Sequence, residues 1–320
     1  MEFSKSNIRL WSRLGSCGAY GQAALELAKT DDRVVFTTAD LCFYSGLERL
    51  KAQFPDKLYN VGIAEQNMIG IASGLASEGF IPYASTYATF AAMRCADQVR
   101  VNMGYMQLGV KLVGLTAGLS VGILGATHMS IEDIAVMRSI PNMTILSPAD
   151  CTETVKAILA ASENSNPTYI RLTGGMPNPI VYQEDYDFQI GKSIVLREGK
   201  DIVVFATGSM VYNALRAAEL LEEDSLSVKV INIHTIKPID KEAIFQHLNY
   251  AHIFTVEEHS VIGGLGSAVA ELISERRANL HLMGIKDQYD HAADYNFLIK
   301  KNQLDPLGIA NTIRNTIREK

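Results

Sequence analysis

The chain has 320 residues, 48% of them apolar and 20% charged, and its Lys plus Arg total of 29 against 35 acids gives a net charge of −6. That size and balance suit about two packed soluble domains and exclude a disordered or fibrous chain. The acidic balance, the lack of a basic run and the lack of aromatic residues interleaved with Lys and Arg argue against nucleic acid, and no apolar span reaches the roughly 18 residues a membrane helix needs.

The first stretch, MEFSKSNIRLWSRLG, has no long apolar core of the kind a signal peptide carries. From Asn7 to Thr173 helical and strand patterns alternate. An amphipathic segment near 8–29 is followed by the strand RVVFTTAD, a helix near 46–54, the strand LYNVG and a helix opened by Glu65. Then come PYAST, a helix near 89–104, KLVGLTA, a helix near 130–139, MTILSPA, a helix from Asp150, and TYIRLTG. Short, continuously apolar strands between helices predict a parallel sheet covered on both faces. Residues 174–190, rich in Gly and Pro and without a period, mark a junction, which gives domains at 1–178 and 191–320 with a linker at 179–190. The second, smaller α/β unit is read from the strands DIVVFAT, VKVINI, HIFTVEE and LHLMGI and from helices near 209–223, 240–248, 264–277 and 306–319.

Cys17, Cys42, Cys95 and Cys151 are far apart and form no CxxC pair, which suits a reducing cytoplasm. The seven histidines form no HxxxH or HExxH pair, so no protein-ligated metal is expected on this chain. Gly263, Gly264 and Gly266 lie between a strand and a helix, but the spacing is not GxGxxG and the acid expected at the end of the next strand is missing; a tight turn is the better reading.

Glu65, in YNVGIAEQNMIGIASGL, opens a helix otherwise made mostly of small and apolar residues. Two readings are open from the residues themselves. An acid in a first helical turn accepts free backbone amides, worth about 0.3 to 1 kcal/mol. Alternatively, Gly62, Gly70 and Gly74 let another backbone or a flat ligand approach closely, and the acid serves a site.

The ordered set NVGIAEQNMIGIASGL, PYASTYATFAAMRCADQVR, GATHMSIEDIAVMRSIPNMTILSPAD and TYIRL resembles the C-terminal half of transketolases essentially end to end. It is more loosely similar to deoxyxylulose-phosphate synthase and to the beta subunit of pyruvate dehydrogenase. The resemblance implies an α/β pyrimidine-binding domain with a parallel sheet, a smaller α/β transketolase C-terminal domain, and thiamine diphosphate as cofactor. It implies that Glu65 hydrogen-bonds the cofactor's aminopyrimidine and drives the tautomer that deprotonates the thiazolium. Tyr87 and Phe90 match residues that pack on the pyrimidine, and Asp40 is either an acid near the cofactor or a surface turn. His128 matches a histidine that reaches substrate oxygens, and Arg171 an arginine that binds substrate phosphate.

Departures from the family pattern bear on the substrate. An acidic GEDG is here Gly122-Ile123-Leu124-Gly125, a histidine is Thr116, and an arginine near the first helix aligns with Cys17. Thr116 and Leu124 thus stand where substrate is expected, in a less polar channel. No GDG motif occurs, so the expected protein is the smaller subunit of a split transketolase. A partner chain would hold the diphosphate and Mg2+ in a heterotetramer, in which this chain also pairs with its own copy. The expected reaction moves a two-carbon ketol unit from a ketose to an aldehyde, on sugars or sugar phosphates of a specialised kind. The alternative is a beta-type 2-oxo-acid decarboxylase subunit or a deoxyxylulose-phosphate-synthase-like enzyme.

Overall fold

Strands buried along their whole length need cover on both faces, and β1 (Val34–Thr38) and β4 (Lys111–Leu115) are buried at every position. The computed structural model describes residues 1–318. Its first part runs α1 (Lys5–Thr30), β1, α2 (Glu48–Gln53), β2 (Leu58–Asn60), α3 (Glu65–Ser77), β3 (Ile81–Tyr87), α4 (Ala96–Gln98), β4, α5 (Asp133–Ser139), β5 (Thr144–Leu146), α6 (Cys151–Glu163) and β6 (Thr168–Arg171). Its second part comprises β7 (Ile194–Arg197), β8 (Ile202–Ala206), α7 (Met210–Glu222), β9 (Val228–Asn232), β10 (Thr235–Lys237), α8 (Lys241–Gln246), β11 (His252–Ser260), α9 (Leu265–Ile273), β12 (Leu280–Ile285), α10 (Tyr295–Lys301) and α11 (Pro306–Arg318).

Among the described residues these strands form two sheets, ordered β10-β5-β6-β4-β3-β1-β2 and β12-β11-β8-β9-β7. Pairing is parallel except between β10 and β5 and between β7 and β9. The expected parallel sheet is therefore present, with one addition: β10 follows the second unit's β9 yet completes the edge of the first unit's sheet, setting Thr235 opposite Leu146. Helices α1 and α6 cover one face of the first sheet, where Trp11, Tyr20, Phe36 and Ile158 are buried together; Met68, Ile69, Leu112 and Ile134 belong to the core that continues into the second unit.

Four local features differ from the sequence pattern. The segment near 8–29 is two helices broken at Gly15, whose φ of 72° and ψ of 176° lie outside helical space. The helix expected near 89–104 is an α turn, α4, between π-helical stretches Phe90–Arg94 and Val99–Tyr105. Strands β7 and β10 and helix α10 fall where no element is expected. The stretch expected as a linker is strapped down, with Val181 and Tyr182 donating their amides to the Asp150 carboxylate at 2.8 and 2.9 Å, and Asn178, just before it, accepts Ser12 Oγ through its carbonyl at 2.6 Å.

At the glycine-rich turn, the Glu257 carboxylate accepts the Leu265 and Gly266 amides at 2.6 and 2.8 Å. An acid of the chain itself thus fills the position a dinucleotide phosphate takes in a Rossmann turn. Among the described residues no helix is long and apolar enough to cross a membrane.

Candidate active site

The strand order runs outward in opposite directions from the β1/β3 pair, and the crevice at the carboxyl ends of such strands is where open α/β sheets bind ligands. The chain places its candidates there. Asp40 lies two residues beyond β1, Glu65 opens α3 just after β2, Tyr87 ends β3 with Phe90 one turn on, and Thr116 follows β4.

Glu65 is 4% exposed, and its Oε1 accepts a hydrogen bond from Arg94 Nη1 at 2.6 Å. Among the described residues the carboxylate makes no other hydrogen bond, so it does not cap the first turn of its own helix. Amide capping, the simpler of the two sequence readings, is not seen at this carboxylate. Arg94, which sequence reasoning did not single out, also lies with its guanidinium carbon 4.0 Å from the centroid of the Phe90 ring.

Tyr87, Phe90 and His128 close into a three-ring cluster. Centroids are 6.0 Å apart for Tyr87 and Phe90, 5.6 Å for Tyr87 and His128, and 5.3 Å for Phe90 and His128, all edge to face. Tyr44, exposed and also absent from the sequence reading, extends the wall at 6.2 Å from Tyr87. His128 arrives on the loop after β4, where its Nδ1 pairs with Thr127 Oγ1 at 3.0 Å. Asp40 lies on the exposed rim with φ at 60°. Its carboxylate accepts Asn60 Nδ2 at 2.9 Å while its amide donates to Asn60 Oδ1 at 3.0 Å, a reciprocal clasp joining the ends of β1 and β2. A polar residue closing β2 just before Gly62 was the available signal for Asn60.

Two of the departures noted in the sequence meet in space. Burial pushes the Cys17 thiol up to about 11, opposed in part by the nearby Thr116 backbone, so Cys17 brings neither a cation nor a thiolate. Thr116 holds φ at 50°, an outlier for a β-branched residue, and its Oγ1 is buried without a hydrogen-bond partner.

Ile123, 76% exposed, and Leu124 sit on a tight turn at Gly122–Leu124. The second unit fixes that loop from behind. A Cβ on Gly118 would strike the Glu258 carboxylate and one on Gly122 would strike Leu298, while Leu119 donates its amide to Glu258 Oε1 at 2.6 Å.

Arg171 is held inside the chain. It is 1% exposed and forms an ion pair from Nε to Asp133 Oδ2 at 2.7 Å, while Nη2 donates to Ser130 O at 3.2 Å and to Glu258 O at 2.9 Å. Burial pushes the Asp133 carboxyl upward, but the charges of Arg171 and His259 together with the hydrogen bonds from Arg171 and Tyr169 outweigh it and hold the group below the usual range. Walled in and paired, Arg171 ties the loop after His128 to the second unit through Ser130 O and Glu258 O. Among the described residues no group of three or more His, Cys, Asp or Glu side chains could hold a metal ion.

The crevice thus brings a buried carboxylate and an aromatic wall together, backed by a second α/β unit. Residues 16–177 match the family described as transketolase, pyrimidine binding domain, and residues 191–304 the one described as transketolase, C-terminal domain. A transketolase C-terminal section of Methanocaldococcus jannaschii is 39% identical over 94% of this chain and 95% of its own length. The 6-deoxy-6-sulfo-D-fructose transketolase subunit of a Clostridium species is 40% identical over 88% of each chain. A solved split gene transketolase, in an inactive beta4 tetramer, superposes with a TM-score of 0.86 at 38% identity, covering 94% of this chain and 97% of that one. The chain belongs to the transketolase family, whose enzymes work with thiamine diphosphate, and it has the extent of a split-gene subunit.

Proposed function

We propose that this chain is the pyrimidine-side half of a two-subunit transketolase that transfers a ketol unit between sugars of a specialised kind. The observation that carries the reading is a buried carboxylate with one oxygen free of hydrogen-bond partners among the described residues, set beside a three-ring aromatic wall at the β1/β3 crevice. These residues suit an aminopyrimidine, which needs an acid at a ring nitrogen and an apolar surface on its face. When bound, thiamine diphosphate supplies the carbon nucleophile that breaks and reforms the sugar's carbon-carbon bond.

The chain's own part is to hold and aim. Glu65 would hold a proton at the free carboxylate oxygen for the cofactor's aminopyrimidine, Tyr87 and Phe90 would hold its ring, and Asp40 steadies the rim through Asn60. His128 is placed to hydrogen-bond a substrate oxygen, and Ile123 and Leu124 shed water from the mouth of the site. Thr116 and Cys17 leave that corner of the site neutral, and Arg171 is engaged elsewhere, so any anion on the sugar is met by His128 or by groups of the partner.

The partner subunit carries the diphosphate and Mg2+ site, and two of each chain assemble around two sites. A Cβ at Gly62, Gly70 or Gly74 would meet nothing within 4 Å, so these small residues serve no packing inside the chain and leave room for a second subunit. The four thiols are free, as suits a reducing cytoplasm.

The test is a donor and acceptor panel on the two-subunit complex, with pyruvate and hydroxypyruvate included. Release of carbon dioxide from hydroxypyruvate and not pyruvate supports ketol transfer. Sulfonated, deoxy or branched sugars are expected to outperform xylulose 5-phosphate with ribose 5-phosphate. A kcat/KM for that standard pair near 10⁴ M⁻¹s⁻¹ or above, roughly the ordinary enzyme range, would reject the specialised-substrate reading.

A further inference from the structure

We propose that Arg94 is a positioning residue for the proposed catalytic carboxylate: it holds Oε1 of Glu65 so that Oε2 faces the aminopyrimidine, and it braces the Phe90 ring against which that heterocycle lies. This inference rests on the reading of Glu65 given above.

The argument begins with where Arg94 spends its donors. Its side chain is 44% exposed, so it is not needed to fill the core, and among the described residues its one ion pair is to Glu65, from Nη1 to Oε1 at 2.6 Å. A carboxylate at the start of a helix ordinarily turns back onto that helix's amides. Glu65 does not, and Arg94 is the group that draws it away.

A second contact fixes the arginine itself. Its guanidinium carbon stands 4.0 Å from the Phe90 ring centroid, within the range of a cation held on an aromatic face. Arginine can do both at once because its planar group stacks with a face while its edge donates; lysine has no such plane. The backbone makes the geometry specific. Phe90 and Arg94 bound a π-helical stretch closed by a Cys95 N–H to Phe90 O bond at 3.2 Å, and such widened turns occur frequently at functional sites. Glu65, Arg94 and Phe90 thus form one chain of contacts, α3 to the π turn to the aromatic wall, in which moving any member moves the other two.

The experiment uses the assembled two-subunit enzyme with Arg94→Ala, Arg94→Lys and, as a separate arm, Glu65→Gln. Thiamine diphosphate affinity is read by calorimetry in the presence of Mg2+, and kcat and sugar KM by steady-state kinetics. Loss of a charged hydrogen bond predicts that Arg94→Ala lowers kcat and cofactor affinity by about 10- to 100-fold each, with sugar KM within about twofold. Arg94→Lys, which keeps the charge and can reach Oε1 but not the stack, should regain about tenfold of that loss. If Arg94→Ala does not assemble, Arg94→Lys and Arg94→Gln are compared in its place, and equal losses in both would overturn the proposal. Unchanged kcat and affinity in Arg94→Ala, or tighter cofactor binding, would overturn it as well, since a residue that merely blocks the site gives the latter. Retained turnover in Glu65→Gln would instead remove the reading of Glu65 on which the inference stands, whereas an inactive Glu65→Gln beside an unaffected Arg94→Ala would reject Arg94 alone.

Discussion

Replacing Arg171 by Met should cost folding stability and not phosphate affinity. Arg171 and Asp133 are 1% and 0% exposed, and the variant strands the Asp133 carboxylate with the Tyr169 hydroxyl, at 2.8 Å, as its remaining hydrogen-bond partner. Asp133 Oδ1 already lacks one. The carbonyls of Ser130 and Glu258 lose a donor in the same step. Breaking a buried pair from one side typically costs about 3 to 5 kcal/mol, whereas removing both charges is far milder. The double variant Arg171→Met with Asp133→Leu should therefore recover most of the loss, to within about 2 kcal/mol of the parent. The assay is urea unfolding followed by the single tryptophan, Trp11, which is buried in the same domain as the pair. A loss under about 1 kcal/mol, together with a raised KM for a phosphorylated sugar in the two-subunit enzyme, would show that Arg171 reaches substrate and would refute the reasoning.

Phe90→Ala should weaken thiamine diphosphate binding by about 1 kcal/mol or more, because the variant loses a stacking face and the brace on Arg94; calorimetry on the two-subunit enzyme would read it, and unchanged affinity would place Phe90 in the core. His234→Phe should flatten part of the acid dependence of stability. Burial, partly opposed by Asp240, holds the His234 imidazole down to about 4, so between about 6.5 and 4 the unfolded chain binds the extra proton and stability falls as pH falls. Removing that group should reduce the slope by up to about 1.4 kcal/mol per pH unit in that window, while the contact with Phe188 at 4.4 Å survives as an aromatic pair; identical slopes in parent and variant by urea unfolding would contradict this.

Much of the fold was legible because parallel strands covered on both faces are written as short, mostly apolar and β-branched runs, as in VVFTT and IVVFA. β10 was not, since three residues with no period of their own become a strand only by meeting β5. The strap at 179–190 was missed for a related reason: its backbone is satisfied by Asp150, some thirty residues away in sequence. Glu65, Tyr87, Phe90 and His128 could be named through a family resemblance, and their spatial clustering follows from the strand ends that carry them. Arg171 shows what matching by position leaves open. An arginine at a strand end can serve substrate or core, and the partners that decide, Asp133 and Glu258, lie 38 and 87 residues away. Arg94 was hidden because its role depends on a π turn, a backbone choice that side-chain periodicity does not encode.

The most direct test of the half-site account is reconstitution. This chain and a partner carrying the GDG motif would be purified separately and titrated against each other in a ketol-transfer assay containing thiamine diphosphate and Mg2+. The account predicts no turnover from either chain by itself, activity that rises to a plateau at one partner per chain, and loss of most of that activity with Glu65→Gln at unchanged stoichiometry. Full turnover from this chain without a partner would contradict it.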